Sequence, residues 1–361
     1  MKQSFLYLLT FIFVLQGCSS GDQPPSANYM KLSGRTMGTT YHITYSDGRQ
    51  QNYQSAIDSL LEIINLEVST YIEQSTISRF NQADSLFNLG YNPRTQRPEG
   101  YPNGHFTANY MKAREVYSAS DGYFDPTIMP LVNYWGFGYS PKKTVEAVDS
   151  LAIDSLIAFV GFDKIGLAVE GKDSLLTKTA PGVQLDFSAL AKGYGVDAVG
   201  RLLAGRGVEH FMVEIGGEVA AHGQSPRGGD WKIGINVPRE DAGMQEIQTA
   251  VPLHNRALAT SGNYRNFYEV NGTKYSHTIN PFTGFPERST LLSASVFAPD
   301  CMTADAYATA FMAMGLDKAF ALASRLPEIE GYFLFNQEDG TMGVRYTEGL
   351  RPLFEKEEDK Q

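Results

Sequence analysis

Asp305 and Thr309 stand four positions apart in the segment Met302-Thr303-Ala304-Asp305-Ala306-Tyr307-Ala308-Thr309-Ala310. On a helix that spacing points a carboxylate and a hydroxyl from the same face. Hard oxygens of this kind suit Mg²⁺, which takes only one or two protein carboxylates and fills its shell with waters and phosphate oxygens. Ala304, Ala308 and Ala310 allow close backbone approach. By itself the segment also reads as a capping Asp near a helix start and a Thr that bonds back to a carbonyl.

A second segment, Leu185-Asp186-Phe187-Ser188-Ala189-Leu190-Ala191-Lys192-Gly193-Tyr194-Gly195-Val196-Asp197, carries a strand end into a helix start. Free N–H groups and the positive end of the helix dipole favour phosphate there, and Lys192 adds charge. Gly193 to Ala198 spells G-x-G-x-x-A, but five residues separate the expected strand from the first glycine. A dinucleotide fingerprint needs the tight turn directly after the strand, so that match is rejected. His277 is placed near the end of an expected strand from Thr273 to Ile279, before the turn Asn280-Pro281-Phe282-Thr283-Gly284-Phe285-Pro286. A histidine presented at a cleft rim can serve as a general base, although a lone strand histidine is also a common structural residue. Gly122-Tyr123-Phe124-Asp125-Pro126-Thr127 and Asn133 to Gly138 interleave aromatic residues with glycines. That pattern suits a planar ring lying on aromatic faces and equally suits a hydrophobic core. Met37-Gly38-Thr39 and Tyr71 are candidates for further walls of the same pocket.

The elements that would position these groups mix helices and strands. Ile57, Leu60, Ile64 and Val68 recur at helical spacing,. Residues 107 to 120 read as another helix, with Thr107 as N-cap and Gly122 past its end,. Residues 84 to 105, dense in Asn, Pro, Gly and Arg, read as a long mobile loop placed to cover the site,. Strands are expected at Val183 to Phe187, Val208 to Ile215, Ser293 to Ala298, Tyr332 to Asn336 and Met342 to Tyr346, with helices to about Leu203 and from Met302 to Met314. Tyr264 to Val270 and Thr273 to Ile279 flank Asn271-Gly272, a strong hairpin signal,. Because strand, helix and parallel strand do not alternate regularly, the expected class is α+β, with antiparallel sheets and packed helices. Asp305 is expected on an exposed helix face.

The chain begins with Lys2, an apolar stretch from Phe5 to Leu15, and then Leu15-Gln16-Gly17-Cys18. Roughly 20 apolar residues are needed to span a bilayer, so the stretch reads as a secretory signal. A cysteine directly after the small residue resembles a bacterial lipoprotein signal, in which residues 1–17 are removed and Cys18 is lipidated. Residues 18–30 then form a flexible tether and 31–361 one domain. Only Cys18 and Cys301 exist, so the mature chain cannot close an internal disulfide and must rest on its core,. A formal net charge of −10 without a Lys/Arg cluster argues against a nucleic-acid partner,. An anionic ligand would need a local cation.

Taken together the segments resemble the ApbE family of FAD:protein FMN transferases. The likeness runs in order from Met37-Gly38-Thr39 through Ser75 to Asn81, Gly122 to Thr127, Asp186 to Asp197, Val213 to Glu218, Ala259 to Gly262 and Ser276 to Gly284, and ends at Ala304 to Thr309. It implies a fold related to tunnelling-fold proteins, FAD as donor substrate and Mg²⁺ at the pyrophosphate. It further implies Asp305 and Thr309 as side-chain metal ligands and Ala189 as a carbonyl ligand. Met37, Tyr71, Tyr123, Phe124, Asp125, Asp186, Lys192 and His277 match positions lining the FAD site. Phe282 and Phe285 depart from the common turn pattern. The reaction implied passes FMN to a threonine or serine hydroxyl of an acceptor flavoprotein, such as a membrane redox subunit, and releases AMP, with Asp305 and His277 as catalytic residues, His277 either accepting the hydroxyl proton or orienting the phosphate. The alternatives are an FAD pyrophosphatase and a flavin-binding lipoprotein without turnover. The implied location is a bacterial envelope membrane, with the catalytic domain outside the cytoplasm.

Overall fold

Met37 and Gly38 hold positive φ angles of 49° and 75°. They form the two-residue turn of a hairpin in which Thr36 faces Thr39. Left-handed backbone at both positions matches the right-handed twist of the flanking strands. In this computed structural model, which describes residues 28–89, 104–138, 148–170, 173–238, 246–263, 267–270 and 273–358, that hairpin opens an eight-stranded sheet. The strands Tyr29–Thr36, Thr39–Ser46, His210–Ile215, Glu218–His222, Arg256–Gly262, Leu291–Ala298, Glu330–Asn336 and Met342–Tyr346 lie side by side in chain order. Every neighbouring pair is antiparallel.

Period-two alternation sorts the sheet's two faces. Val213, Ile215, Ala257, Ala259, Ala294 and Val296 join the main core beneath the helices Gln54–Val68, Gly104–Ala119, Ala191–Ala204 and Cys301–Met314. Val219, Leu258, Phe297 and Leu334 face a second core with Trp231, Val251 and Leu253 of the Trp231–Asn236 and Ile247–Leu253 strand pair. The Cys301–Met314 helix is buried on nearly all sides, and its fully buried Ala304, Ala306, Ala308 and Ala310 let it lie close to the alanine-rich sheet face,. A smaller cluster of Leu131, Trp135, Ile153, Val160 and Ile279 forms a lobe beside the sheet. Trp135 Nε1 donates to the Gly284 carbonyl at 2.7 Å, tying that lobe to the 280–286 turn.

The α+β class stands, and several local expectations are corrected. Val183 to Phe187 is not a ladder strand. Its backbone groups are taken elsewhere: Asn81 Nδ2 donates to the Leu185 carbonyl at 2.8 Å, Leu185 N–H donates to Asn81 Oδ1 at 2.7 Å, and Asp186 N–H donates to the Pro126 carbonyl at 2.7 Å. Thr107 is not an N-cap, because the helix begins at Gly104 and Thr107 is buried inside it. The start is earlier because the buried Glu67 carboxylate accepts the Phe106 N–H at 2.9 Å. Within 84–105, Leu86–Asn88 pairs with Asp173–Lys178, and residues 90–103 lie outside the described residues. The hairpin strands are shorter than expected, Phe267–Val270 and Thr273–Ser276, with Asn271-Gly272 outside the described residues. Ile279 instead bridges to Pro286. Tyr29 and Met30, assigned to the tether, belong to the first strand. The signal segment, Cys18 and the rest of the tether to residue 27 lie outside the described residues.

Candidate active site

The Cys301–Met314 helix begins under two carboxylates. Asp300 is its N-cap, accepting the Thr303 N–H at 2.8 Å. Asp197, from the Ala191–Ala204 helix, accepts the Cys301 and Met302 N–H groups at 2.8 and 2.9 Å. Burial and the neighbouring Asp300 push the Asp197 pKa up to about 7, against those two backbone bonds. The same two helices meet again at Gly193, where a Cβ would come within 2.6 Å of the Cys301 carbonyl carbon and 2.8 Å of Met302 Cα. Only a hydrogen fits there. Gly193 N–H then reaches Asp305 Oδ2 at 3.0 Å.

Asp305 is only 2% exposed, which corrects the expectation of an exposed helix face. Burial raises its pKa, opposed by the charge of Lys192. Lys192 Nζ lies 3.5 Å from Glu218 Oε1. Burial alone would lower the Lys192 pKa, but the charges of Asp305 and Glu218 outweigh it and hold the ammonium above the ordinary lysine range. Glu218, 5% exposed, has its pKa pushed upward by burial, opposed by the charge of Lys192, and its Oε2 has no hydrogen-bond partner among the described residues. The turn Gly216-Gly217 that delivers Glu218 has φ angles of 64° and 107°. A Cβ on Gly216 would stand 3.3 Å from Lys192 Cδ, so this turn also makes room for the lysine stem. Glu218 closes the matching segment Val213 to Glu218 but carried no role of its own there. It reads like any polar residue at a strand start.

These groups line a cavity of about 460 Å³. Tyr71, Tyr123, Phe124, Asp125, Asp186, Ala189, Lys192, His277, Asp305 and Thr309, all singled out in the sequence, share its walls. Thr260, Ser261 and Thr278, which lie in the matching segments but carried no role of their own there, join them. Met37 is the exception among the described candidates: it lines an adjoining cleft of about 1000 Å³ that shares Tyr71, Ser188 and Lys192 with the first cavity. Lys192 therefore stands where the two spaces meet.

Asp186 and Asp125 are built alike. Asp186 Oδ1 accepts from Ser188 N–H at 3.0 Å and Ser188 Oγ at 2.6 Å, while Asp125 Oδ1 accepts from Thr127 N–H at 2.8 Å and Thr127 Oγ1 at 2.6 Å. Such Asx turns fix a short loop without a ladder. Burial raises both acids, Asp125 to about 6. On the aromatic side Tyr123 packs edge-on against Phe282 at 4.9 Å between ring centroids, and His277 meets Phe137 at 6.2 Å. The departure at Phe282 thus covers Tyr123 at the rim.

The donors suited to a metal are a carboxylate, a hydroxyl and a main-chain carbonyl. Thr309 lies one turn beyond Asp305 on its helix, and its Oγ1 is 3.4 Å from Ser261 Oγ. Asp305 Oδ1 accepts no hydrogen bond from the described residues, which leaves it available to a cation. No cluster of three His, Cys, Asp or Glu that could hold a metal occurs among the described residues. This donor set fits Mg²⁺ in the mode that leaves most of its shell to water and phosphate.

A family model described as the ApbE family matches residues 37–333. The FAD:protein FMN transferase of Vibrio cholerae is 36% identical over 325 residues, covering 89% of this chain and 90% of the relative. That of Haemophilus influenzae is 35% identical over 319 residues, covering 86% and 88%. Among solved structures, the flavin transferase ApbE from Vibrio cholerae superposes with a TM-score of 0.78 at 34% identity, over 91% of this chain and 100% of that one. The apo form of Pseudomonas stutzeri flavinyl transferase ApbE gives 0.76 at 30% identity, over 91% and 97%.

Proposed function

The chain belongs to the ApbE family, and from that premise we propose that it transfers the FMN half of FAD to a serine or threonine hydroxyl of an acceptor protein, releasing AMP. The observation that carries this reading is the meeting, in one cavity, of aromatic walls, the Lys192 ammonium and the Asp305–Thr309 pair.

The isoalloxazine ring is assigned to the side of Tyr123, Phe124 and Phe137. Lys192, at the junction with the second cleft, faces the pyrophosphate that joins the two halves of FAD. Asp305, Thr309 and the Ala189 carbonyl would hold Mg²⁺, whose charge neutralises the pyrophosphate as the leaving oxygen gains charge. In the transfer the acceptor oxygen bonds to the FMN-side phosphorus, the bond from that phosphorus to the AMP oxygen breaks, and the hydroxyl proton passes to His277. Positioning does most of the work, since a loose phosphoryl transition state leaves little covalent chemistry to the protein.

The test is incubation of the protein with FAD and MgCl₂, with and without an acceptor protein. The proposal requires FMN covalently attached to the acceptor together with AMP. AMP and free FMN in equal amounts whatever the acceptor would make the protein a hydrolase, and no AMP at all would make it a flavin carrier.

Residues 1–18 support a second proposal, that Cys18 is lipidated and holds the enzyme on an envelope membrane outside the cytoplasm, where the acceptors are membrane or secreted flavoproteins. Cys18→Ser should remove lipid labelling and membrane association while sparing turnover. Unchanged labelling of that variant would disprove it.

A further inference from the structure

We propose that Asp197, which is absent from the walls of both cavities, is a positioning residue for transfer: its carboxylate pins the helix bearing Asp305 and Thr309 to the helix bearing Lys192. The inference rests on the reading of Asp305 and Thr309 as ligands of Mg²⁺.

The first N–H groups of a helix have no partner within it, and a carboxylate placed there makes charge-assisted bonds with the positive end of the dipole. Asp300, the adjacent residue, already supplies such a cap through Thr303. Asp197 lies 104 positions from Cys301 in sequence, so its two bonds add a cross-link between elements that a local cap cannot provide. One turn before Asp197, on the same face, Gly193 makes the second link through its N–H to Asp305,. A single link would let the two helices pivot about it. Two links, spaced by one turn on each helix, fix rotation as well as separation. Rotation is what matters for chemistry, because turning the Cys301–Met314 helix about its axis swings Asp305 and Thr309 away from Lys192 together. Asp197 thus sets the place of the metal ligands without touching metal or substrate.

The experiment uses the full chain and compares the parent with Asp197→Asn, Asp197→Glu and Asp47→Asn. The last is a stability control: Asp47 is buried and accepts from Arg49, Gln51 and Tyr53, away from both cavities. At pH 8, above the pKa of about 7 for Asp197, FAD and riboflavin are titrated by flavin fluorescence across MgCl₂ concentrations. Loss of a residue that orients metal ligands weakens metal binding by about 10- to 100-fold. Asp197→Asn should therefore raise the MgCl₂ concentration for half-maximal FAD binding by that factor and leave riboflavin binding unchanged, while Asp197→Glu restores part of the loss. Asp47→Asn should melt earlier with a parental MgCl₂ requirement. A parental requirement in Asp197→Asn, or equal weakening of FAD and riboflavin, would overturn the inference. If Asp197→Asn does not fold, a parental requirement in Asp197→Glu does the same. A parent protein whose FAD binding ignores MgCl₂ would instead sink the metal reading, and the inference with it.

Discussion

Replacing Gly193 by alanine tests whether the separation of two helices limits the chemistry. In most helix interiors this exchange stabilises, by about 0.5–1 kcal/mol, because alanine loses less backbone freedom on folding. Here the new methyl group would lie 2.6 Å from the Cys301 carbonyl carbon and 2.8 Å from Met302 Cα. Carbon atoms rest at about 3.5 Å or more, so the helices must part by about 1 Å. Both obstacles are backbone, which no rotamer change relieves. Overpacking of this kind costs about 1–3 kcal/mol, enough to reverse the propensity gain and lower the thermal midpoint by a few degrees. The same 1 Å separates Lys192 from Asp305 and stretches the Gly193–Asp305 bond, and misplacement on that scale lowers turnover by about 10²-fold,. The control is Gly200→Ala on the same helix, where the methyl would meet only the edge of the Phe211 ring at 3.3 Å. Thermal unfolding and single-turnover attachment of FMN are measured on all three proteins. Parental turnover in Gly193→Ala, or the same loss in Gly200→Ala, would refute the reasoning.

Asp305→Asn keeps the shape and an oxygen for the Gly193 N–H but removes the charge; Mg²⁺-dependent AMP release should fall by at least about 10²-fold without loss of thermal stability,. Parental release at limiting MgCl₂ would show that the metal sits elsewhere. His277→Ala should slow single-turnover transfer by about 10²- to 10⁴-fold with FAD still bound; loss of FAD binding instead would make His277 a binding residue. His105, 3% exposed and 2.6 Å from the Tyr194 hydroxyl, has its pKa lowered to about 4 by burial and by Arg201. Between pH 6.5 and 4 the unfolded chain takes up a proton that the folded one refuses. Stability therefore falls as pH drops through that window, by about 2 kcal/mol at pH 5. His105→Gln should lose that much less between pH 7 and 5 in denaturant titrations, and equal losses would refute the assignment.

Much of the site was legible because its chemistry travels in short local segments. Asp305 and Thr309 are one helical turn apart, and Tyr123 to Asp125 are consecutive, so their grouping needed no knowledge of the fold. What stayed hidden depended on distant partners. Asp305 is covered because an alanine-rich helix sits deep against a sheet, and alanine spacing says nothing of depth. Val183 to Phe187 has strand-like residues, but Asn81, 104 positions from Leu185, takes the backbone bonds a ladder would use. Glu218 enters the site only because Gly216-Gly217 reverses the chain beside Lys192, and a strand-start glutamate carries no mark of that neighbour. Met37 was recognised as a wall, yet which of two adjoining spaces it faces follows from the hairpin turn it occupies.

Three of the bonds that assemble the site close long loops: Gly193 to Asp305 spans 112 positions, Asp197 to Cys301 spans 104, and Trp135 to Gly284 spans 149. Pairings so far apart in the chain form late, after the entropy of closing those loops has been overcome. No fragment ending before Thr309 contains the aromatic walls together with the complete Asp305–Thr309 pair. Flavin transfer is consequently a property of the finished fold. The chain becomes an enzyme only once its distant segments have packed together.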